Sequence, residues 1–233
     1  MSNRAEQPPG KEQEQLFVQF LVFRGEGAWR RLPPEERERG RAAFLEAVET
    51  SDLTTYGYGL VGLKAGADLL LWRLAPSLDA LQESASRLLQ TGLGRYLTVE
   101  HALTGLMRPS QYVRRPTPQE QGMLVPDRKR YLIVYPFVKT AEWYLLSRDA
   151  RQGMMNEHIR VGHRFPAVRQ LLAYSFGLDD QEFIVAYETD DLKAFQDLVM
   201  ALRGTEARRY TLRDTPIFTA IHRPLEEALA LLG

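Results

Sequence analysis

The strongest constraint on the fold of this chain is an internal repeat with an offset of 114 residues. The strand-like run Phe17–Phe23 matches Tyr131–Phe137 at that offset, and Trp29 matches Trp143, each six residues beyond its strand. A repeat that keeps its register through a strand and beyond indicates two copies of one structural unit. We therefore expect the 233 residues to form two similar halves.

Each half has the pattern of strand, helix, strand, strand, helix, strand. The charged helical stretches are Pro33–Val48 and Ser147–Val161, and the closing strands are roughly Leu103–Pro109 and Ile217–His222. This order is that of a ferredoxin-like unit. The predicted fold class is α+β, with two tandem ferredoxin-like (βαββαβ) halves forming a dimeric α/β barrel with antiparallel sheets.

The predicted boundaries follow from this repeat. Residues 1–15 are polar and alternately charged and are predicted to be a disordered lead-in. Residues 16–112 form the first half and residues 130–233 the second. The segment between them, residues 113–129, contains three prolines and several charges, which is typical of a linker.

The composition excludes several classes of function. The 30 basic residues equal the 30 acidic ones, whereas nucleic-acid binding usually requires a basic surplus. No run reaches about 18 apolar residues, so we expect no membrane span. The first 15 residues lack the apolar core of a signal peptide, and we expect a cytoplasmic protein. The absence of cysteine excludes disulfides, thiolate ligands and iron–sulfur clusters.

One position breaks the likeness between the halves, because His158 stands where the repeat places Phe44. A lone inward histidine is more often a hydrogen-bonded core residue than a ligand, and the neighbouring Met154 and Met155 suit a core. A zinc or di-iron site is poorly supported, since no second ligand lies at helical spacing and His163 is too far round the helix. With one ligand and no cysteine, haem is the reasonable metal cofactor, because the porphyrin supplies four further bonds.

Several segments around His158 resemble the chlorite dismutase family. They are Met154-Met-Asn-Glu-His158 with Gly162, Lys139-Thr-Ala-Glu-Trp-Tyr144, Gly177-Leu-Asp-Asp180 and Glu206-Ala-Arg-Arg-Tyr210. The resemblance spans both halves and is strongest from Tyr131 to Ile221. It implies a haem whose iron is bound by His158 in the second half, a first half without haem, and a homopentamer.

The family contains two activities that differ in the residue above the iron. Chlorite dismutases, which split chlorite into chloride and dioxygen, carry an arginine there. Coproheme decarboxylases, which use peroxide to convert two propionates into vinyl groups, carry a glutamine. Counting back from Gly177 places Gln170 at this position, counting forward from His158 gives Leu171, and Arg169 keeps a third register open.

The resemblance implies roles for further residues. Tyr135, before a proline on the first strand of the second half, matches the decarboxylases and would form a radical. Trp143 would border the porphyrin, and Glu206 would accept the second N–H of the iron-bound imidazole. Lys139 matches a family lysine near the haem. Arg130, with Arg128 beside it, is a candidate for the propionates because of its place in the sequence.

The predicted function is that of a peroxide-dependent coproheme decarboxylase, which converts coproheme III to haem b by oxidative decarboxylation of two propionates. Tyr135, Gln170 and Lys139 would be catalytic, and a porphyrin and hydrogen peroxide would be the substrates. Three alternatives remain open. One is a chlorite dismutase-like protein that decomposes chlorite or acts as a weak peroxidase, and another is a haem-binding protein without catalysis. The third is a family member that has lost haem and serves as a ferredoxin-like oligomerisation module.

Overall fold

The computed structural model of the protein describes residues 15–113 and 122–233. Almost all of the predicted lead-in, residues 1–14, and residues 114–121 of the predicted linker lie outside the described residues. None of the helices in the described ranges is long and apolar enough to cross a membrane.

The elements of the first half follow the predicted order. They are β1 (Phe17–Gly25), α1 (Pro34–Glu49), β2 (Thr54–Lys64), β3 (Ala67–Ala75), α2 (Leu78–Gln90) and β4 (Leu97–Leu106). The last strand begins at Leu97, six residues before the predicted Leu103, directly after a short 3-10 turn over Gly94–Tyr96.

The second half repeats this order with three additions. Its elements are β5 (Tyr131–Lys139), α3 (Ala141–Leu145), α4 (Arg148–Gly162), β6 (Arg169–Tyr174), β7 (Phe183–Thr189), α5 (Leu192–Arg203), β8 (Thr211–Arg213), β9 (Phe218–His222) and α6 (Leu225–Ala230). The additions are the short α3, the three-residue β8 and the terminal α6. A 3-10 turn over Glu206–Tyr210 precedes β8.

The strands pair in the same order in both halves and close into an antiparallel barrel. The first half pairs as β4–β1–β3–β2 and the second as β9–β5–β7–β6. Two short seams join them, with Leu106 of β4 opposite Tyr174 of β6, and Tyr58 and Gly59 of β2 opposite His222 and Ile221 of β9. The chain therefore has a mixed α/β fold in which one sheet closes on itself.

Strand alternation divides the apolar residues between two cores. Phe20, Trp72, Val134 and Leu171 pack inside the barrel. Their strand neighbours point outward and pack beneath the helices, because successive side chains of a strand lie on opposite faces. In the first half Phe44 of α1 is fully buried in this outer layer, as its apolar character predicted.

Candidate functional site

Helix α4 differs from its counterpart α1 in how it meets the barrel. It begins after Ser147, whose hydroxyl accepts a hydrogen bond from the Ala150 N–H at 3.2 Å. Unlike α1, it contains no fully buried residue. Between α4 and the outer face of the second-half sheet lies a cavity of about 240 Å³. The space that Phe44 fills in the first half is thus open in the second.

His158 lies on the face of α4 that lines this cavity, together with Met155 and Gly162 at helical spacing. Its imidazole is half-buried and makes no hydrogen bond within the described ranges of the chain. Burial lowers the pKa of His158 to about 4, and the nearby Lys139 ammonium adds to this effect. The imidazole is therefore neutral at pH 7, which is the form that binds a metal.

The described residues place no ready-made cluster of metal ligands around His158, although His163 also lines the cavity. In the described part of the chain, no three His, Asp or Glu side chains lie close enough together to hold a metal ion. A metal bound through His158 would therefore need its remaining ligands from elsewhere, and a porphyrin supplies four.

The register of β6 distinguishes the three candidates for the distal position. Leu171 is buried in the barrel interior. Arg169 pairs with the Asp127 carboxylate at 3.0 Å. All three of Gln170, Leu171 and Leu172 border the cavity, but the Gln170 and Leu172 side chains lie on the outer face of the strand, opposite to that of Leu171. Of the three, Gln170 is the one whose side chain is on the face toward His158.

Tyr135 is on the outer face of β5 and also lines the cavity. Its ring packs against that of Tyr187, with 6.2 Å between the ring centroids. Burial, followed by the proximity of Tyr187, raises the pKa of Tyr135 well above its usual range. The phenol therefore keeps its proton at neutral pH.

Lys139 and Trp143 lie together beside His158. The Lys139 Nζ is 4.4 Å from the centroid of the buried Trp143 ring, and it donates to the Ala207 carbonyl at 2.9 Å. Burial and the charge of Arg208 lower the pKa of Lys139 to about 8. Its backbone N–H donates to Glu182, whose carboxylate also accepts the Tyr144 hydroxyl.

The structure does not bring Arg130 or Arg128 to the cavity. Arg130 precedes β5, a strand about 30 Å long, and the cavity lies along the later part of that strand. The Arg130 guanidinium packs over Tyr131 instead, and Arg128 is buried inside the barrel beside Glu188. Arg130 is close in sequence to the cavity residues of β5, but the length of this strand separates its side chain from them.

The Glu206 carboxylate is likewise not at His158. Its neighbours Thr205 and Ala207 line the cavity, but the Glu206 side chain is 60% exposed and pairs with Arg209 at 3.2 Å. Only its backbone N–H faces α4, where it donates to the Glu157 carboxylate at 3.0 Å. Adjacent side chains point in different directions in a tight 3-10 turn. A shift of one position along this turn therefore changes whether a side chain faces the cavity or the solvent.

The sequence interpretation missed the cationic side chains that do line the cavity. Arg203 and Arg208 share the Asp214 carboxylate at 2.9 and 2.7 Å. Arg151 lies seven residues before His158 on α4. Helical spacing could have identified Arg151, because residues seven apart share a helix face. Arg208 stands in the segment Glu206-Ala-Arg-Arg-Tyr210 that carries the family resemblance, but no sequence signal connects Arg203 to the cavity.

Comparisons with known proteins agree with this architecture. The family model for chlorite dismutase matches residues 35–223. The coproheme decarboxylase of Mycolicibacterium smegmatis is 35% identical over 193 residues, covering 82% of this chain and 83% of that protein. An arginine-to-lysine variant of the chlorite dismutase from Candidatus Nitrospira defluvii has a TM-score of 0.86 at 31% identity, covering 95% of this chain and 96% of that one. A putative chlorite dismutase with 22% identity shares the fold, with a TM-score of 0.82.

Proposed function

The chain belongs to the chlorite dismutase family, and we propose that it is a coproheme decarboxylase, a haem-dependent oxidoreductase that converts coproheme III to haem b with hydrogen peroxide. The observation that carries the proposal is the common cavity of His158, Gln170 and Tyr135. We further propose that the repeat reflects duplication of a ferredoxin-like unit, in which the second copy acquired the cofactor site.

The residues of the cavity fit a haem. His158 offers a neutral imidazole, and the walls are mainly aromatic and aliphatic, as expected for a porphyrin face. When bound, the haem would supply a redox-active iron with a position open to peroxide. His158 would hold that iron, and Trp143 would pack beside the macrocycle. Glu206 remains a candidate acceptor for the second imidazole N–H only if its side chain turns away from Arg209.

Tyr135 has the protonation state that hydrogen transfer requires. With peroxide as the oxidant, its phenol would lose one proton and one electron and then take a hydrogen atom from the β-carbon of a propionate. This restores the phenol, and the substrate radical would then lose carbon dioxide and one further electron to form the vinyl group. The two electrons lost by each propionate would reduce one hydrogen peroxide to two molecules of water. Burial favours this role because a phenol with a raised pKa does not ionise to a permanent anion at neutral pH.

Gln170 and Lys139 would set the electrostatics of the site. A neutral amide at Gln170 can hydrogen-bond peroxide but lacks the charge with which an arginine holds anionic chlorite. Lys139, with a pKa of about 8, is mostly protonated at pH 7 and keeps donors beyond its bond to Ala207. We propose that it attracts the carboxylates of the substrate.

The test is mass spectrometry of coproheme III incubated with the protein and hydrogen peroxide. We expect a product that has lost two carboxyl groups. Tyr135→Phe should abolish the loss, whereas Tyr131→Phe on the same strand, which does not line the cavity, should retain it. An unchanged mass for a wild type that has bound coproheme would contradict the proposal and leave a haem-binding protein without catalysis.

Chlorite decomposition is the second candidate function, because the similarity to the Candidatus Nitrospira defluvii enzyme extends over 95% of the chain. It predicts oxygen release when chlorite is added to the haem-loaded protein. We propose that this activity is weak, since Gln170 is uncharged. The remaining proposals are a homopentamer, which light scattering would test, and a cytoplasmic location, which cell fractionation would test.

A further inference from the structure

The cavity carries four lysine or arginine side chains from the described residues, and three of them already have partners. Lys139 donates to the Ala207 carbonyl. Arg203 and Arg208 both pair with Asp214. Arg151 is the remaining cation within the described ranges.

The Arg151 guanidinium has unused hydrogen-bond donors. It donates no hydrogen bond to the described residues, and its Nε is buried without a partner. A buried N–H of a charged group is costly unless an acceptor reaches it, so the arrangement suits an anionic ligand that enters the cavity. The nearby Tyr144, also at the cavity, already donates its hydroxyl to Glu182 and leaves the guanidinium free.

Helix geometry relates Arg151 to the proposed iron ligand. Seven residues correspond to two helical turns, so Arg151 lies about 10 Å from His158 along the axis, on the same face. It lies toward the exposed beginning of α4. A planar ligand centred on His158 would therefore present its rim, and not its centre, to Arg151.

We propose that Arg151 binds one carboxylate on the rim of the tetrapyrrole and so helps to select carboxylated porphyrins. The planar guanidinium can donate two parallel hydrogen bonds to a carboxylate, which neither a lysine nor an amide can do. This inference rests on the proposed function, because it takes the porphyrin as the ligand of the cavity.

The experiment measures the Kd of iron-free coproporphyrin III by fluorescence, which removes iron ligation and catalysis from the readout. We expect Arg151→Gln to weaken binding by about 10- to 100-fold, and Arg151→Lys to give an intermediate value. Arg160→Gln is the matched control, because Arg160 is exposed and lies two and a half turns further along, on the opposite face of α4.

The outcomes separate this inference from the function on which it rests. If wild type binds coproporphyrin and Arg151→Gln binds it equally well, Arg151 is not a carboxylate receptor, while the proposed function stands. If wild type does not bind the iron-free porphyrin, the inference fails, whereas the proposed function is decided separately by the mass of coproheme III after incubation with peroxide. Circular dichroism and thermal melting of each variant show whether a loss of affinity comes from misfolding, and Arg151→Lys provides a second, milder change.

Discussion

At the scale of single residues, the contrast between Phe44 and His158 links fold to chemistry. Both occupy the same position of the repeat, yet Phe44 is fully buried and His158 is half-buried at a cavity. A neutral imidazole without a protein hydrogen bond in the described ranges is unfavourable in a core but suitable for a metal. The asymmetry between the halves is therefore best explained by a ligand.

His158→Ala gives a direct test of iron ligation. We expect the Kd for ferric coproheme to rise at least about 10-fold, because the coordinate bond is lost. The Kd for iron-free coproporphyrin III should stay within about 2-fold, since that ligand makes no bond to the imidazole. Absorption titration measures the first and fluorescence the second. An equal loss of affinity for both porphyrins would show that His158 supports the cavity walls instead of holding iron.

At the scale of elements, α4 is a helix adapted to a cavity and not to a core. It buries none of its residues fully and contains Gly153 and Gly162. A Cβ at Gly153 would meet no atom within 4 Å. Tight packing does not require this glycine, so helix propensity alone decides the effect of replacing it.

Gly153→Ala should therefore stabilise the ligand-free protein by about 0.5–1 kcal/mol, because alanine loses less conformational entropy than glycine in a helix. Urea denaturation measures the change. A destabilised variant would indicate that α4 is not a regular helix at this residue.

Gly94→Ala is the opposite case. A Cβ at Gly94 would lie 1.8 Å from the Leu88 carbonyl oxygen, where α2 leads into the 3-10 turn before β4. Backbone atoms cannot move aside as a side chain can, so we expect a loss on the order of 2–4 kcal/mol. Urea denaturation again applies, and a change below about 0.5 kcal/mol would contradict the close approach.

At the scale of the whole molecule, a buried ion pair connects both halves with the segment between them. Arg128, from that segment, packs against the adjacent rings of Tyr56 and Trp72 of the first half, 4.6 Å from each centroid. Its Nη1 is 3.4 Å from the Glu188 carboxylate of the second half, which also accepts the Tyr58 hydroxyl at 3.0 Å. Both charged side chains are at most 1% exposed. The pair thus joins the two halves and the segment between them inside the barrel.

Arg128→Met should lower the free energy of unfolding by about 3–5 kcal/mol, because it leaves the Glu188 carboxylate buried without its counter-ion. Adding Glu188→Gln should recover part of this loss, since the unpaired charge is then removed. Urea denaturation of both single variants and the double variant measures the coupling. Strict additivity would show that the two side chains do not interact.

The stability should also depend on pH through Glu188. Burial raises the pKa of Glu188 from 4.5 to about 7, although Arg128 and the Tyr58 hydroxyl act in the opposite direction. Between these pH values the folded state holds this proton more tightly than the unfolded state, so stability decreases as pH rises. The stability of wild type relative to Glu188→Gln should fall by on the order of 1–3 kcal/mol from pH 5 to pH 8. A constant difference would contradict the raised pKa.

The sequence by itself determined the features that depend on local spacing. The 114-residue repeat predicted the common order of elements, since each copy carries its own strand and helix periodicity. The segments around His158 were sufficient to identify the family, which the match over residues 35–223 confirms. Spacing within one element left His158 as a core histidine or a ligand, and the resemblance to the family predicted that His158 and Tyr135 belong to one site.

Only the tertiary structure decided contacts between elements. Strand pairing directed the Leu171 side chain into the barrel core and the Gln170 side chain to the outer face of β6, which counting from flanking motifs left open. The Arg128 side chain is buried in the barrel interior, and the 3-10 turn directs the Glu206 side chain toward solvent. The physical reason is that a charged side chain is stable only beside a counter-ion or in water. The counter-ions lie on elements that are far apart in the chain, so local spacing does not reveal them. Arg151 shows both contributions. Helical spacing alone places it on the same face as His158, but only the tertiary structure shows that its buried Nε has no hydrogen-bond partner among the described residues.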